Sequence, residues 1–293
     1  MRVLVTGAGG QLGQALVRTA PGGLAVRALS RAELDIADAG AVSAALRDLR
    51  CELVVNAAAF TRVDAAESRS QEAQRVNALG PAVLAAACRA SGAWLTQVST
   101  DYVFDGAQTE PYLPTAAPNP LNVYGRSKLA GERAVIHELG ERCTVLRTSW
   151  VYGAGHRNFV TTMLDRFARP EAVRVVSDQI GVPTHVAGVA RVLWALCERR
   201  AAGLWHWSDA GVASWYDFAV AIAEESAALR AGAAAPPLVA IRSAEYPTAA
   251  RRPRFSVLDT RATEDLLGMR APHWRVALRE VLAAARASSE PFA

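Results

Sequence analysis

Lysine is almost missing from this chain. Among 293 residues it occurs once, at Lys128, and every other basic side chain is an arginine. Cysteine is scarce and scattered: Cys51, Cys88, Cys143 and Cys197 stand alone, without metal-ligand spacing. Such isolation suits thiols in a reducing cytoplasm better than a disulfide framework. No apolar stretch approaches the roughly 20 residues of a membrane span, so no membrane partner is expected. Met1-Arg2 leads straight into a strand-like run, and no signal peptide is expected. The net charge is +4, but the arginines are spread out and no basic run interleaves with aromatics. That excludes nucleic acid as an expected partner and leaves a mild attraction for small anions. At 51% hydrophobic residues the chain can bury one large core or two modest ones.

What the chain does contain is a stretch, residues 94–128, that gathers reactive groups. The apolar run from Trp94 to Val98 stops at Ser99-Thr100, and Tyr124 and Lys128 close the stretch four residues apart. On a helix that spacing puts the phenol and the ammonium on one face. A cation beside a phenol lowers the phenol's pKa from about 10, so the pair is expected to give a tyrosine that exchanges a proton near neutral pH. A solitary lysine in an arginine-rich chain marks a place for a compact ammonium, such as a ribose hydroxyl, where the wider guanidinium fork does not fit. Ser99 and Thr100 are expected where a strand meets its loop, the edge at which α/β sheets place chemistry.

The amino-terminal residues add a nucleotide signature. Arg2 to Thr6 reads as a buried strand, and Gly7-Ala-Gly-Gly10-Gln-Leu-Gly13 follows, opening a helical pattern from Gln11 to Arg18. Gly7, Gly10 and Gly13 allow a tight turn, close backbone approach to a pyrophosphate and close helix packing, and the free N–H groups of the helix start hold phosphate. A second strand runs from Leu24 to Leu29. Where an NAD-specific site carries an acid for the ribose 2′-hydroxyl, this chain has Ser30-Arg31. Arg31 suits a 2′-phosphate, so NADPH is the expected cofactor, with NADH also usable. Ala39 to Leu49 reads as a helix. A third strand, Leu53 to Val55, ends in Asn56 and in the small residues Ala57, Ala58 and Ala59, which let the backbone pass close to a cofactor.

A long helix over 66–91 carrying Asn77, a fourth strand from Trp94 to Val98, a helix from near Asn122 to Leu139 and a fifth strand from Cys143 to Leu146 complete the alternation. The pattern predicts an α/β fold: a Rossmann-type, doubly wound parallel sheet over residues 1–152. Beyond it, helices near 158–168, 187–199, 215–230 and 275–286, short strands at 173–176 and 204–207 and an Ala-rich loop at 231–237 predict a smaller carboxy-terminal substrate-binding lobe. That lobe, 153–293, is expected to lend strands to the main sheet.

With these residues in place, the chain resembles the extended short-chain dehydrogenase/reductase family over nearly its full length. Its T-G-x-x-G-x-x-G appears as Thr6 to Gly13 and its Y-x-x-x-K as Tyr124 to Lys128. The closer likeness is to reductases of dTDP-linked 4-keto-6-deoxysugars. It rests on GQLG at 10–13, ELDIAD at 33–38, VVNAAAFTRVDAAE at 54–67, STDYVFDG at 99–106, PLNVYGRSKLAGE at 120–132, RTSWVYG at 147–153, DQIGVPT at 178–184 and YPTAARRP at 246–253. The resemblance implies NAD(P)H-dependent reduction of the C4 ketone of dTDP-4-dehydro-6-deoxy-L-mannose, with Tyr124 as proton donor, Lys128 on the nicotinamide ribose and Thr100 on the substrate carbonyl.

It further implies Gly10, Gln11 and Leu12 at the pyrophosphate, Asp35 and Ile36 at the adenine end, Ala59 and Thr61 beside the nicotinamide, and Asp101 and Trp150 on the sugar nucleotide. Sugar-nucleotide dehydratases of the superfamily carry Asp-Glu where this chain has Asp101-Tyr102, so reduction and not loss of water is implied. Arg252, in the basic segment 250–253, is either a ligand of the substrate's pyrophosphate or a partner in an ion pair between lobes. Some members are linked to a magnesium ion held by carboxylates at a dimer contact. The matching positions here are Ala15 and Ala187, so no protein-held metal is expected, magnesium dependence stays open, and the chain is expected to be a monomer or a homodimer. Two other readings remain at this stage: reduction of a different 4-keto-6-deoxysugar nucleotide, and a non-catalytic nucleotide-binding regulatory subunit.

Overall fold

The structure, a computed structural model, describes residues 1–227 and 234–288, with side chains described as far as residue 284. Its frame is a six-stranded, wholly parallel sheet. The strands are β1 (Arg2–Thr6), β2 (Ala25–Leu29), β3 (Leu53–Asn56), β4 (Trp94–Thr100), β5 (Cys143–Thr148) and, from the carboxy-terminal half, β6 (Gly203–His206). Their order across the sheet is β6-β5-β4-β3-β1-β2. The chain runs from β1 outward to β2, then returns to lay β3 on the other side of β1. That reversal opens a crevice beyond the carboxyl ends of β1 and β3, where such sheets bind ligands. β6 continues the sheet beyond β5, so the carboxy-terminal half does lend a strand to it.

Alternation along the strands explains why both faces are covered. In β1, Val3 and Val5 point to one side and Leu4 to the other, and all three are fully buried. Val3 and Val5 join Leu53 and Val55 beneath α1 (Gln11–Arg18) and α8 (Val186–Glu198). Leu4 joins Val54 and Leu95 beneath α2 (Ala39–Leu49) and α5 (Gly80–Ser91). Each such side chain contributes about 1.5–3 kcal/mol when fully buried, so both faces of the sheet add to stability. Ala15 lies in the first of these cores with 1% of its surface exposed. A separate apolar cluster under α7 (Phe159–Phe167), α9 (Trp215–Glu225) and α10 (Trp274–Ser288) holds the carboxy-terminal lobe together through Val160, Phe218, Ile222 and Leu278.

Two expectations are revised. The single helix expected over 66–91 is four pieces: α3 (Val63–Ser68), α4 (Ser70–Gln74), a π-helical turn Arg75–Leu79, and α5. The wide turn aims Asn77 inward, where Oδ1 accepts from the Phe60 amide at 2.8 Å and Nδ2 donates to the Phe60 carbonyl at 3.0 Å. The π turn thus carries a side chain that bonds a distant backbone, and such turns are frequent at functional positions. The helix expected near 215–230 ends at Glu225, and residues 228–233, including the start of the expected Ala-rich loop, lie outside the described residues. Among the described residues no helix is long and apolar enough to cross a membrane.

Candidate active site

A cleft of about 860 Å³ runs along the carboxyl edge of the sheet. The glycine turn forms one end. Gly7 takes φ +72°, and a Cβ there would lie 2.6 Å from the Ala58 amide nitrogen, so the turn passes flush against the loop after β3. A Cβ on Gly13 would meet the Gly7 carbonyl at 2.2 Å, which assigns this glycine to packing beneath the turn and not to the cleft wall. Gly10 caps α1 without any side-chain hydrogen bond, so the amides of the first turn stay unclaimed by side chains.

The helix α6 (Val123–Leu139) delivers Tyr124 and Lys128. Asn122 caps it, with Oδ1 accepting from the Gly125 amide at 2.8 Å and Nδ2 donating to the Arg251 carbonyl at 2.8 Å. Two glycines seat the helix: Cβ atoms at Gly125 and Gly131 would each lie 2.1 Å from a carbonyl oxygen, those of Tyr102 and Asn77 respectively. Ser127 Oγ donates to the Tyr124 carbonyl at 2.7 Å and accepts from Asn77 Nδ2 at 3.0 Å, tying the π turn to this helix.

Lys128 is 4% exposed, and its ammonium donates to the Val98 carbonyl at 2.6 Å. Burial lowers its pKa to about 8, opposed by the Glu132 carboxylate one turn on. Glu132 is itself gripped by Arg147 of β5 in a buried bidentate pair at 2.9 and 2.6 Å. Tyr124 departs from the expected acidity. Burial raises the phenol to about 12, the Thr100 hydroxyl works against that, and the Asp101 charge adds to it. Desolvation outweighs any help from Lys128, whose ammonium is turned to a backbone carbonyl.

Thr100 Oγ1 donates to Asp101 Oδ1 at 3.0 Å and accepts from the Tyr102 amide at 3.2 Å. Burial pushes the Asp101 carboxyl up to about 6, against the hydroxyls of Ser256 and Thr100. Tyr102, where dehydratases carry glutamate, is buried edge-on to Tyr124 with ring centroids 5.9 Å apart.

Of the residues singled out in the sequence, Gly7, Gly10, Gln11, Leu12, Arg31, Asp35, Ile36, Ala57, Ala58, Ala59, Thr61, Thr100, Asp101, Tyr124, Lys128 and Trp150 line this one cleft. Gly13, Ser30 and Arg252 do not. Ser30 is bound through its amide and hydroxyl to Glu33, both at 2.8 Å. Arg252 makes a bidentate pair with Asp64 at 3.0 and 2.6 Å, bridging the two halves of the chain, so its guanidinium is engaged with a carboxylate.

Other lining residues were not foreseen, among them Phe60, Tyr152, Asn158, Phe159 and Trp215. Asn158 had a signal in Thr161 three residues on: the two form the capping box of α7. Asn158 Nδ2 also donates to Gln11 Oε1 at 2.9 Å, joining the lobe to the glycine turn. Trp215 had no signal beyond its place at a helix start.

The lining fits a dinucleotide and a second polar ligand. Ser99 Oγ, Thr148 Oγ1 and His156 Nε2 face this cleft from buried positions without a hydrogen-bond partner, and buried polar groups of that kind are costly unless a ligand meets them. A parallel sheet with a glycine turn at its crossover and a Thr/Tyr/Lys set on the same edge defines a dinucleotide-dependent oxidoreductase.

The chain belongs, more narrowly, to the family described as RmlD substrate binding domain, whose profile matches residues 1–287. It is 42% identical over 282 residues to the spore coat polysaccharide biosynthesis protein SpsK of Bacillus subtilis, covering 96% of each chain. It is 39% identical over 290 residues to a dTDP-4-dehydrorhamnose reductase of Aggregatibacter actinomycetemcomitans, covering 96% of this chain and 98% of that one. Among solved structures, it superposes on the dTDP-4-dehydrorhamnose reductase of Bacillus anthracis in complex with NADP with a TM-score of 0.90 at 33% identity, covering 97% of this chain and 99% of that one.

Proposed function

We propose that this chain reduces the C4 ketone of dTDP-4-dehydro-6-deoxy-L-mannose to dTDP-L-rhamnose with NADPH. The observation that carries the reading is the convergence of Thr100, Tyr124 and Lys128 on the cleft that also holds the glycine turn, with Tyr102 in the place of a dehydratase glutamate. NADPH, when bound, supplies the hydride for C4.

The protein's part is to hold and move a proton. Tyr124 gives its proton to the C4 oxygen as negative charge develops there. A phenol with a pKa near 12 stays protonated at working pH, and an alkoxide is basic enough to take its proton. Thr100 turns its hydroxyl from Asp101 to the same oxygen, a second donor in a site sheltered from water. Lys128 presents an ammonium to the nicotinamide ribose from a position fixed by Val98 and α6. The phenolate left on Tyr124 is recharged from solvent between turnovers.

The phosphate-bearing cofactor is favoured by the end of β2. Arg31 is 70% exposed there and meets one carboxylate, Glu72, at 3.4 Å. The two acids beside it are already claimed: Glu33 by Ser30, and Asp35 by Arg75 at 2.7 Å. That leaves an exposed guanidinium with one long carboxylate contact, to Glu72, to exchange for a 2′-phosphate. NADH is expected to serve as well, less efficiently. Residues 1–152 carry the dinucleotide in this reading, and 153–293 form a smaller lobe that closes the sugar-nucleotide side of the cleft through Phe159 and Trp215, in a cytoplasmic monomer or homodimer.

The test is steady-state loss of NADPH on addition of the 4-keto sugar, in wild type and in Tyr124→Phe. The variant is expected to lose more than about a hundredfold in turnover, the reach of a lost general acid, while its affinity for NADPH stays near wild type. Near-normal reduction by the phenylalanine variant would refute the proton-donor role.

A further inference from the structure

We infer that Trp215 is a positioning residue for the sugar nucleotide: it holds the Trp150 indole in place, so that the two rings form one preset wall of the cleft. The inference rests on the reading of the cleft given above and concerns a residue that takes no part in the proton chemistry.

Trp150 has φ +43°, a left-handed conformation that L residues other than Asn and Asp seldom adopt. Such a backbone persists only where its surroundings dictate it, and here they do. The indole lies flush on Gly181, where a Cβ would come within 2.5 Å of Cε2 and 2.8 Å of Nε1. It also stacks on Trp215, with ring centroids 3.5 Å apart and planes 5° from parallel.

Trp215 is fixed in its turn. It begins α9, whose start is locked by the reciprocal capping of Ser214 and Asp217. Its Nε1 donates to Gln179 Oε1 at 3.2 Å, Gln179 Nε2 donates to Ser243 Oγ at 2.9 Å, and Ser243 Oγ donates to Asp178 Oδ1 at 2.6 Å. Phe159 packs against it at 4.7 Å. Trp150, Trp215 and Phe159 all line the cleft. A chain of polar contacts from Asp178 thus ends in an aromatic stack facing the ligands. Among the described residues none of the hydrogen bonds in that chain reaches the glycine turn or Arg31, which puts its purchase on the second ligand and not on the cofactor. Holding the wall before binding spares the substrate the cost of ordering it.

The test is equilibrium binding of the product dTDP-L-rhamnose, and separately of NADPH, to wild type, Trp215→Ala and Trp215→Phe. Trp215→Ala is expected to bind the sugar nucleotide about tenfold more weakly, the upper range for one aromatic pair, with NADPH affinity changed less than about twofold. Trp215→Phe, which keeps a ring to stack on, is expected to recover most of the loss. The exciton signal of the indole pair in circular dichroism should disappear in both variants. If truncation costs the fold, Gln179→Ala leaves both indoles in place, removes the acceptor of the Trp215 N–H together with the donor to Ser243 Oγ, and is expected to weaken sugar-nucleotide binding about threefold, within the range of one hydrogen bond. Equal losses for both ligands, or none for the sugar nucleotide, would overturn the inference. Failure of wild type to bind dTDP-L-rhamnose would instead overturn the functional reading on which it stands.

Discussion

At Tyr124, burial keeps the phenol protonated up to about 12, the acid form that the proposed proton transfer needs. The group that does titrate near working pH is Lys128, at about 8. Its charged form is present below that value and lost above it, and with it goes the ammonium offered to the ribose. The alkaline limb of kcat/KM, which reports the free enzyme, is therefore expected to break near pH 8 on account of Lys128, and not near 10, where an ordinary tyrosine would place it. A pH–rate profile measures this; a rate that holds level to pH 10 would contradict it. The spacing of Tyr124 and Lys128 was legible in the sequence because a helix turns linear spacing into one face. The direction of the Tyr124 shift was not, because it depends on how much water the folded cleft excludes.

At the scale of single elements, α6 is the piece whose seating the chemistry depends on. Gly131 lets it lie against the Asn77 carbonyl of the π turn. Gly131→Ala would force the two apart by more than a side-chain adjustment, since backbone lies on both sides. It is expected to cost about 1–3 kcal/mol, as overpacking does, and to lower turnover by displacing Lys128; chemical denaturation with parallel kinetics measures both. Unchanged stability would mean that the π turn yields freely. The strands and the helix caps around this element were readable from β-branched runs, glycines and Asn122. The break of 66–91 into four pieces was not, because the π turn answers to the Phe60 backbone, which is distant in sequence from Asn77. Arg252 was readable only as a choice between phosphate and ion pair; its pairing with Asp64, across most of the chain's length, is a fact of tertiary structure.

At the scale of the whole molecule, the carboxy-terminal half buries a carboxyl at a cost in charge. Asp209 accepts from the His185 amide at 3.0 Å, and burial pushes its carboxyl to about 7, with Arg191 opposing and Glu280 adding to the shift. Between the ordinary carboxylate value of 3.8 and about 7 the folded chain binds more protons at this site than the unfolded one, so stability falls as pH rises through that window. Asparagine keeps an acceptor for the His185 amide and has no charge to bury. Asp209→Asn is therefore expected to raise Tm at pH 8 and to give little or no gain at pH 4, as thermal melts at the two pH values would register; an equal change at both would dismiss the role of the charge. The central claim, reduction of one particular 4-keto sugar, is tested most directly by incubating the protein and NADPH with dTDP-4-dehydro-6-deoxy-L-mannose made in situ from dTDP-glucose, and following the product by NMR. The account predicts a single product, dTDP-L-rhamnose, formed as NADPH is consumed. An L-talo product, or consumption of NADPH only when a different 4-keto sugar is supplied, would contradict it.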